Sequence, residues 1–215
     1  MEQRFHKATA VGSNPTPDTK MTKTIIFDAD GMIVRGERFS SRLEKEFGIS
    51  TVTTGKFFRT EFQDCLIGRT DLKEILPRYF SEWGWSGTVD QLLKFWFDER
   101  ANIIDERFES IIKNLKGGGV YCCLATNNEK YRSLNLAKDR GLEKWFDGIF
   151  SSCAIGHKKP DPEFFQSILD KIDATKEAVQ FWDNGQENID GARAFGLESR
   201  VYNGFEQFLD EVKKF

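Results

Sequence analysis

Two aspartates spaced by one residue, Asp28 and Asp30 in Thr24-Ile25-Ile26-Phe27-Asp28-Ala29-Asp30-Gly31, close an apolar run and are the side chains best placed for chemistry. A carboxylate where a buried strand ends can act as a nucleophile, and a second acid two residues on can handle the proton a leaving group needs. That pairing suits phosphoryl transfer. The same residues also suit a plain strand-end turn, because Asp and Gly are what turns use, so the reading depends on what other segments bring to the pair.

Three later apolar runs end in residues that complete such a site. Leu124-Ala125-Thr126-Asn127-Asn128 offers a hydroxyl and backbone N–H groups at a helix start, a phosphate cradle, although Thr or Asn there commonly serves only as a cap. Gly156-His157-Lys158-Lys159-Pro160-Asp161-Pro162 offers a lysine beside a proline, able to neutralise the nucleophile and the phosphoryl oxygens as charge moves. Lys158 reads as solvated surface and His157 as a bystander. Phe181-Trp182-Asp183-Asn184-Gly185-Gln186-Glu187-Asn188 offers an acid for Mg²⁺, an ion that takes one or two carboxylates together with waters and substrate phosphate.

The elements that must position these residues alternate along the chain. Candidate strands are Thr24 to Phe27, Val120 to Ala125, Gly148 to Phe150, Ala178 to Trp182 and Ser199 to Tyr202, with amphipathic helices between the later ones. Phe165, Ile168, Leu169 and Ile172 have the spacing of one buried helix face, and Asp161 before Pro162 is a helix start with proline at its first position. Such alternation predicts an α/β fold, a Rossmann-like parallel sheet with helices on both faces, whose sites lie beyond the carboxyl ends of the strands. Residues 34 to 104 interrupt the pattern with no convincing strand. They hold helical stretches at Glu37 to Phe47, Thr54 to Leu66, Asp71 to Trp83 and Val89 to Ala101, with Pro77 set to kink or break the third. This segment is predicted to be an inserted α-helical cap over the acidic loop, its aromatics forming a bundle core. The expected organisation is a disordered leader or extension over 1–20, a core from 21–33 and 105–215, and the cap over 34–104.

Composition excludes other classes. The 215 residues are 39% hydrophobic and 30% charged with a net charge of -3, both signs interspersed, so no basic stripe invites nucleic acid or a membrane surface. No stretch approaches the roughly eighteen continuous apolar residues of a membrane span, and the N-terminus lacks a signal-peptide core, which points to the cytoplasm. The four cysteines form no Cys-x-x-Cys pair and read as reduced core residues. A monomer is the plain expectation.

Asp-x-Asp, Thr, Lys-Pro and Asp at successive strand ends resemble the haloacid dehalogenase-like superfamily, in the branch whose helical cap lies between the first and second motifs. The resemblance spans about residues 22 to 212, on Phe27 to Gly31, Ala125-Thr126-Asn127, Lys159-Pro160-Asp161-Pro162 and Asp183 to Ala192, with Phe146 to Ser152 and Ala192 to Gly196 as connecting segments. It implies that Asp28 attacks phosphorus to give an aspartyl-phosphate, and that Asp30 protonates the leaving alcohol and later deprotonates water. It implies Mg²⁺ on the Asp28 carboxylate, the Asp30 backbone carbonyl and the fourth-motif acid, here Asp183 with Asn184 assisting. Thr126 and the Asn127 N–H would hold phosphoryl oxygens, and Lys159 would screen the charge on Asp28. One departure stands out: many members carry a second acid where this chain has Asn184, so the site loses a negative charge and Mg²⁺ affinity is expected to fall, unless Glu187 compensates.

The resemblance leaves several outcomes open. Carbon–halogen hydrolysis needs neither an acid for the leaving group nor Mg²⁺, so Asp30 favours a phosphatase. A phosphonate hydrolase would use a cap lysine, and Lys56 and Lys73 are available without a context that marks them. A phosphomutase, or a regulatory or binding member with weak catalysis, uses the same scaffold. The expected substrate is a small phosphorylated metabolite, a sugar phosphate or similar, with Arg59, Arg69 and Thr70 as cap candidates for choosing it.

Overall fold

Five short runs rich in Ile, Phe, Val, Cys and Trp build the centre of the protein, which a computed structural model describes over residues 23–213. The expected leader over 1–20 lies outside the described residues. The runs are β1 (Thr24–Phe27), β4 (Tyr121–Thr126), β5 (Gly148–Ser151), β6 (Val179–Asp183) and β7 (Glu198–Val201), one parallel sheet in the order β5-β4-β1-β6-β7. Side chains alternate across it as a pleated strand requires. Ile25, Phe27, Cys122, Leu124 and Trp182 face a core with Phe108, Ile112 and Phe208, whereas Ile26, Cys123, Ala125 and Phe181 face Phe164, Phe165, Ile168 and Ile189. Those two cores are covered by α7 (Arg107–Gly117) and α12 (Phe205–Val212) on one face, and by α10 (Pro162–Ile172) and α11 (Gln186–Phe195) on the other. The α/β architecture expected from sequence is therefore present, with both sheet faces buried.

The strand order reverses at β1, so the connections diverge there and leave a crevice beyond its carboxyl end. Proline at the first position of α10 sets the entry of that helix, although the Asp161 side chain makes no capping hydrogen bond. The shorter α8 (Lys130–Leu134) and α9 (Ser152–Ile155) follow β4 and β5 at the same end of the sheet.

Between β1 and β4 the chain leaves the sheet for α1 (Phe39–Phe47), α2 (Thr51–Arg59), α3 (Glu61–Leu66), α4 (Leu72–Ile75), α5 (Phe80–Trp83) and α6 (Val89–Trp96). These helices enclose their own cluster of Phe39, Leu43, Phe57, Leu72, Leu76, Trp83 and Leu92. Phe39 stacks on Trp96 with ring centres 4.1 Å apart. Pro77 acts where expected: a 3-10 turn, Leu76–Tyr79, separates α4 from α5.

The expectation that 34–104 holds no strand is corrected. Both of its ends are strands, β2 (Val34–Gly36) and β3 (Asn102–Ile104), paired antiparallel with Val34 opposite Ile104. Each is three residues long and partly exposed, too short to show a period in sequence, and the partner is far along the chain. The pair forms the stalk of the insertion, tied to the core where the Asp105 N–H donates to the Ile33 carbonyl at 2.9 Å. Cys65, Cys122, Cys123 and Cys153 are all free, and burial pushes the Cys122 thiol up to about 12. Among the described residues no helix is long and apolar enough to cross a membrane.

Candidate active site

Strand register brings the separated motifs together. Phe27 lies opposite Leu124 on one side and Trp182 on the other, and the Asp28 N–H extends the ladder by donating to the Trp182 carbonyl at 2.9 Å. Asp28 and Asp183 thus leave adjacent strands side by side, a like-charge neighbourhood that is unfavourable unless a cation intervenes. Lys159 intervenes. Its Nζ lies 2.5 Å from Asp28 Oδ1, 2.6 Å from Asp183 Oδ2 and 3.0 Å from the Ala125 carbonyl, and the residue is 2% exposed.

Lys159 reaches this point because its backbone is clamped. Asn127 accepts from the Lys159 N–H and donates to the Lys159 carbonyl, each at 2.8 Å. The loop also lies close against α11, where a Cβ on Gly191 would fall 2.4 Å from Pro160 Cβ. The Asn127 side chain is thus committed to the lysine loop, while the expectation for this residue concerns its backbone N–H. Thr126 is buried and its Oγ1 accepts from Asn128 Nδ2 at 2.6 Å.

Burial dominates the charge balance. It raises the Asp28 carboxyl to about 7, against the opposing pull of Lys159 and with the repulsion of Asp183 added. For Lys159 burial works downward, but the two carboxylates outweigh it and hold the ammonium above its usual range. A charged lysine between two acids leaves Asp28 easily ionised once further positive charge arrives.

The second aspartate sits in a tight turn. Gly31 N–H donates to the Val34 carbonyl and Val34 N–H to the Ala29 carbonyl, each at 2.8 Å. Gly31 has φ of 99°, and a Cβ there would fall 2.1 Å from Asn184 Nδ2, so glycine serves both the turn and the space. The Asp30 side chain is 48% exposed, with Oδ1 accepting from Arg132 Nη2 at 2.9 Å and Oδ2 from Asn128 Nδ2 at 2.6 Å.

Asn184 faces the other side of this turn. The inward atom of its amide lies 3.2 Å from both Asp28 Oδ2 and the Asp30 carbonyl oxygen. With nitrogen inward the amide donates to both; with oxygen inward, its oxygen lies 3.2 Å from each of the other two. That spacing matches the edge of about 3 Å in an octahedron with Mg²⁺–oxygen distances near 2.1 Å. Among the described residues no three His, Cys, Asp or Glu side chains gather as a metal cluster, because this donor set includes a backbone carbonyl and an amide. Asp28, the Asp30 carbonyl and Asn184 therefore fit Mg²⁺.

Asp183 is placed differently from its expected leading role at the metal. It is 1% exposed, and its oxygens accept from Lys159 at 2.6 Å, Gly185 N–H at 2.7 Å and Asn188 Nδ2 at 3.0 and 3.1 Å. Asn184, expected to assist, is the one beside Asp28 and the Asp30 carbonyl. Sequence reasoning missed the parts played by Asn128, Arg132 and Asn188. Asn128 stood inside a quoted motif, but nothing in the pattern aims Arg132 at a residue so distant in the chain.

The inserted helices are tied down around these residues. Tyr131 Oη donates to Asp71 at 2.8 Å, Lys130 pairs with Asp71 at 3.2 Å, and Lys158 donates to Gln63. The suggested selectors lie elsewhere in their bonding: Arg69 pairs with Asp64 at 3.5 Å, Thr70 meets Cys65 Sγ at 3.3 Å, and Arg59 is exposed. An open cleft of about 850 Å³ between α6 and α8, lined by Phe95, Phe97, Tyr131 and Leu134 among others, contains none of the site residues.

Comparison with known proteins places this geometry. The haloacid dehalogenase-like hydrolase family matches residues 22–196. A sesquiterpene phosphatase of Aspergillus oryzae is 36% identical over 93 residues, which are 43% of this chain and 47% of that protein, so the chain spans about half of that relative's length. A phosphorylated carbohydrates phosphatase of Thermotoga maritima is 21% identical over 186 residues, 84% of each chain. Among solved structures, a haloacid dehalogenase family enzyme from Bacteroides thetaiotaomicron in complex with magnesium and inorganic phosphate superposes with a TM-score of 0.72 at 15% identity, covering 87% of this chain and 98% of that one. An L-2-haloacid dehalogenase from Xanthobacter autotrophicus reaches 0.64 at 18% identity, covering 90% and 83%. At such identities the likeness is one of fold.

Proposed function

Because this chain belongs to the haloacid dehalogenase-like hydrolases, we propose that it is a Mg²⁺-dependent phosphatase acting on a small phosphate monoester through a covalent phosphoryl group on Asp28. The observation that carries this reading is Asp30, an acid two residues from the nucleophile whose two oxygens are both held, by Arg132 and Asn128, while the group stays open to solvent. Such an acid has work to do on an alkoxide and none on a halide.

The Asp28 carboxylate attacks phosphorus as the bond to the alcohol oxygen breaks, with its Oδ1 beside Lys159 and its Oδ2 beside Asn184. Asp30 delivers a proton to the departing alcohol and afterwards takes one from the water that cleaves the acyl phosphate. Lys159 stabilises the negative charge shared by Asp28 and the phosphoryl oxygens, and the Thr126 hydroxyl and the Asn127 N–H bind those oxygens. Asp28, the Asp30 carbonyl and Asn184 would hold Mg²⁺, which would supply charge neutralisation and orientation. Asp183 keeps Lys159 in place.

The named relatives support a phosphate ester and differ on the alcohol, a sesquiterpene in one and a carbohydrate in the other. A small phosphorylated metabolite fits both, with no nucleic acid or membrane partner. Asn184 favours a second reading, a weakly active or regulatory member, because its amide turned nitrogen-inward bridges Asp28 and the Asp30 carbonyl as a cation would. Release of phosphate from an aryl phosphate, dependent on Mg²⁺ and abolished by Asp28→Asn, decides for the phosphatase; no release at any Mg²⁺ concentration decides for the second reading. A screen of carbohydrate and prenyl phosphates then assigns the alcohol.

A further inference from the structure

Resting on the phosphatase reading, we propose that Arg132 is a positioning residue: it orients the Asp30 carboxylate toward the leaving-group oxygen and ties that orientation to the strand by which the cap rejoins the core. Arg132 is 5% exposed and sits in the first turn of α8, whose N-cap, Glu129, accepts from the Arg132 N–H at 2.6 Å and the Tyr131 N–H at 2.8 Å. The backbone that carries the guanidinium is therefore fixed from below. The guanidinium itself is held on three sides. Nη2 donates to Asp30 Oδ1 at 2.9 Å and to Asn102 Oδ1 at 3.1 Å, Nη1 donates to Asn135 Oδ1 at 3.3 Å, and the Phe97 ring centre lies 5.6 Å from Cζ.

A planar guanidinium fixes direction as well as distance, which an ammonium does not. With Asn128 holding the second oxygen, the carboxylate is oriented by two side chains from the segment after β4, although Asp30 itself lies on a turn after β1. A proton donor misplaced by about an ångström can cost roughly a hundredfold in rate. The link to the cap runs through Asn102 in β3. Its Nδ2 donates to the carbonyls of Trp96 and Asp98, each at 2.9 Å, at the end of the last cap helix, and its backbone lies opposite Gly36 of β2. One amide thus joins the last turn of the cap to the arginine that holds the acid. Any shift of β3 moves one partner of Arg132 relative to the other.

The consequence is a dependence on the leaving group. An acidic phenol departs without a proton, whereas an alkoxide does not, so loss of acid alignment should tell in proportion to the basicity of the departing oxygen. kcat/KM is the right quantity, because it ends with the first irreversible step and omits the later role of Asp30 toward water.

The experiment measures kcat/KM at saturating Mg²⁺ for nitrophenyl, phenyl and alkyl phosphates with the unaltered protein, Arg132→Ala, Arg132→Lys and Asn102→Ala, each checked for native circular dichroism. Arg132→Ala is expected to lose roughly tenfold on nitrophenyl phosphate and at least a further tenfold on the alkyl ester, within the range of general acid contributions. Arg132→Lys should recover part of the difference, and Asn102→Ala should fall between the unaltered protein and Arg132→Ala. An equal loss on every ester for both arginine variants would overturn the positioning role. Should Arg132→Ala fail to fold, the lysine variant carries that arm of the test. An unchanged leaving-group dependence in Asn102→Ala would overturn the tie to the cap. Absence of turnover by the unaltered protein is a separate outcome, which overturns the phosphatase reading and this inference with it.

Discussion

Replacing Lys159 with methionine removes the one cation between two buried carboxylates while keeping most of the side-chain volume. In the folded protein the ammonium lies 2.5 Å from Asp28 and 2.6 Å from Asp183, with side-chain exposures of 1% for the lysine, 8% for Asp28 and 1% for Asp183. Breaking a buried pair from one side costs about 3–5 kcal/mol, because the remaining charge stays buried and uncompensated. Here two acids are stranded, yet Asp28 can relieve itself by taking up a proton, since burial already lifts it to about 7 and the lysine is the main influence holding it down. The expected loss is therefore about 4 kcal/mol at pH 8 and roughly half of that at pH 5. The sign follows from linkage: a folded-state pKa above the unfolded one means that the folded protein binds the extra proton, so stability falls as pH rises between the two values. Urea unfolding of metal-free protein at both pH values reads the effect. The double variant with Asp183→Asn should cost less than the sum of the single changes, by roughly 1–3 kcal/mol. A loss under about 1 kcal/mol at pH 8, or one that does not shrink in acid, would mean that Lys159 does not neutralise this pair.

Three further outcomes are expected. Asn184→Asp should lower the Mg²⁺ concentration needed for half activity and tighten Mg²⁺ binding by calorimetry; no change or a rise would mean that the ligand is misplaced. Gly31→Ala, which forces a side chain onto a φ of 99° and into Asn184, should destabilise the fold by more than about 1 kcal/mol and weaken Mg²⁺ binding, with thermal unfolding and calorimetry as the checks. Asp28→Asn should make the metal-free protein more stable above pH 7, with the gain fading toward pH 4, because the Asp28 carboxyl rises from 3.8 to about 7 on folding and its ionised form is the costly one; a gain that grows in acid would contradict the assigned burial.

What the chain discloses without coordinates follows the range of the forces involved. All five sheet strands were legible to within one residue at each end, because buried parallel strands read as apolar runs bounded by turns. The stalk strands β2 and β3 were not, since three half-exposed residues carry no period and their pairing joins distant segments. Asp28, Thr126 and Asp183 were legible because topology gathers strand ends, and Lys159, which lies beyond α9, because of the lysine–proline motif it stands in. The finer division of labour was hidden. Whether Asp183 or Asn184 meets Asp28 depends on which of two adjacent side chains turns toward Lys159, and strand-end position is the same for both. Arg132 and Asn188 are joined to the site only by hydrogen bonds of chosen rotamers, which no spacing rule foretells. The Asn127 clamp has the same character, a side-chain contact with the Lys159 backbone across a long stretch of chain.

The central claim is that the carboxylate at position 28 bonds covalently to phosphorus. Rapid acid quenching during turnover of an aryl phosphate with Mg²⁺, followed by peptide mapping by mass spectrometry, tests it most directly. One added phosphoryl group is expected on the peptide carrying Asp28, labile at alkaline pH as an acyl phosphate is, accumulating in Asp30→Ala and absent in Asp28→Asn. Turnover that leaves this peptide unmodified in Asp30→Ala, or a phosphoryl group that maps to any other residue, would contradict it.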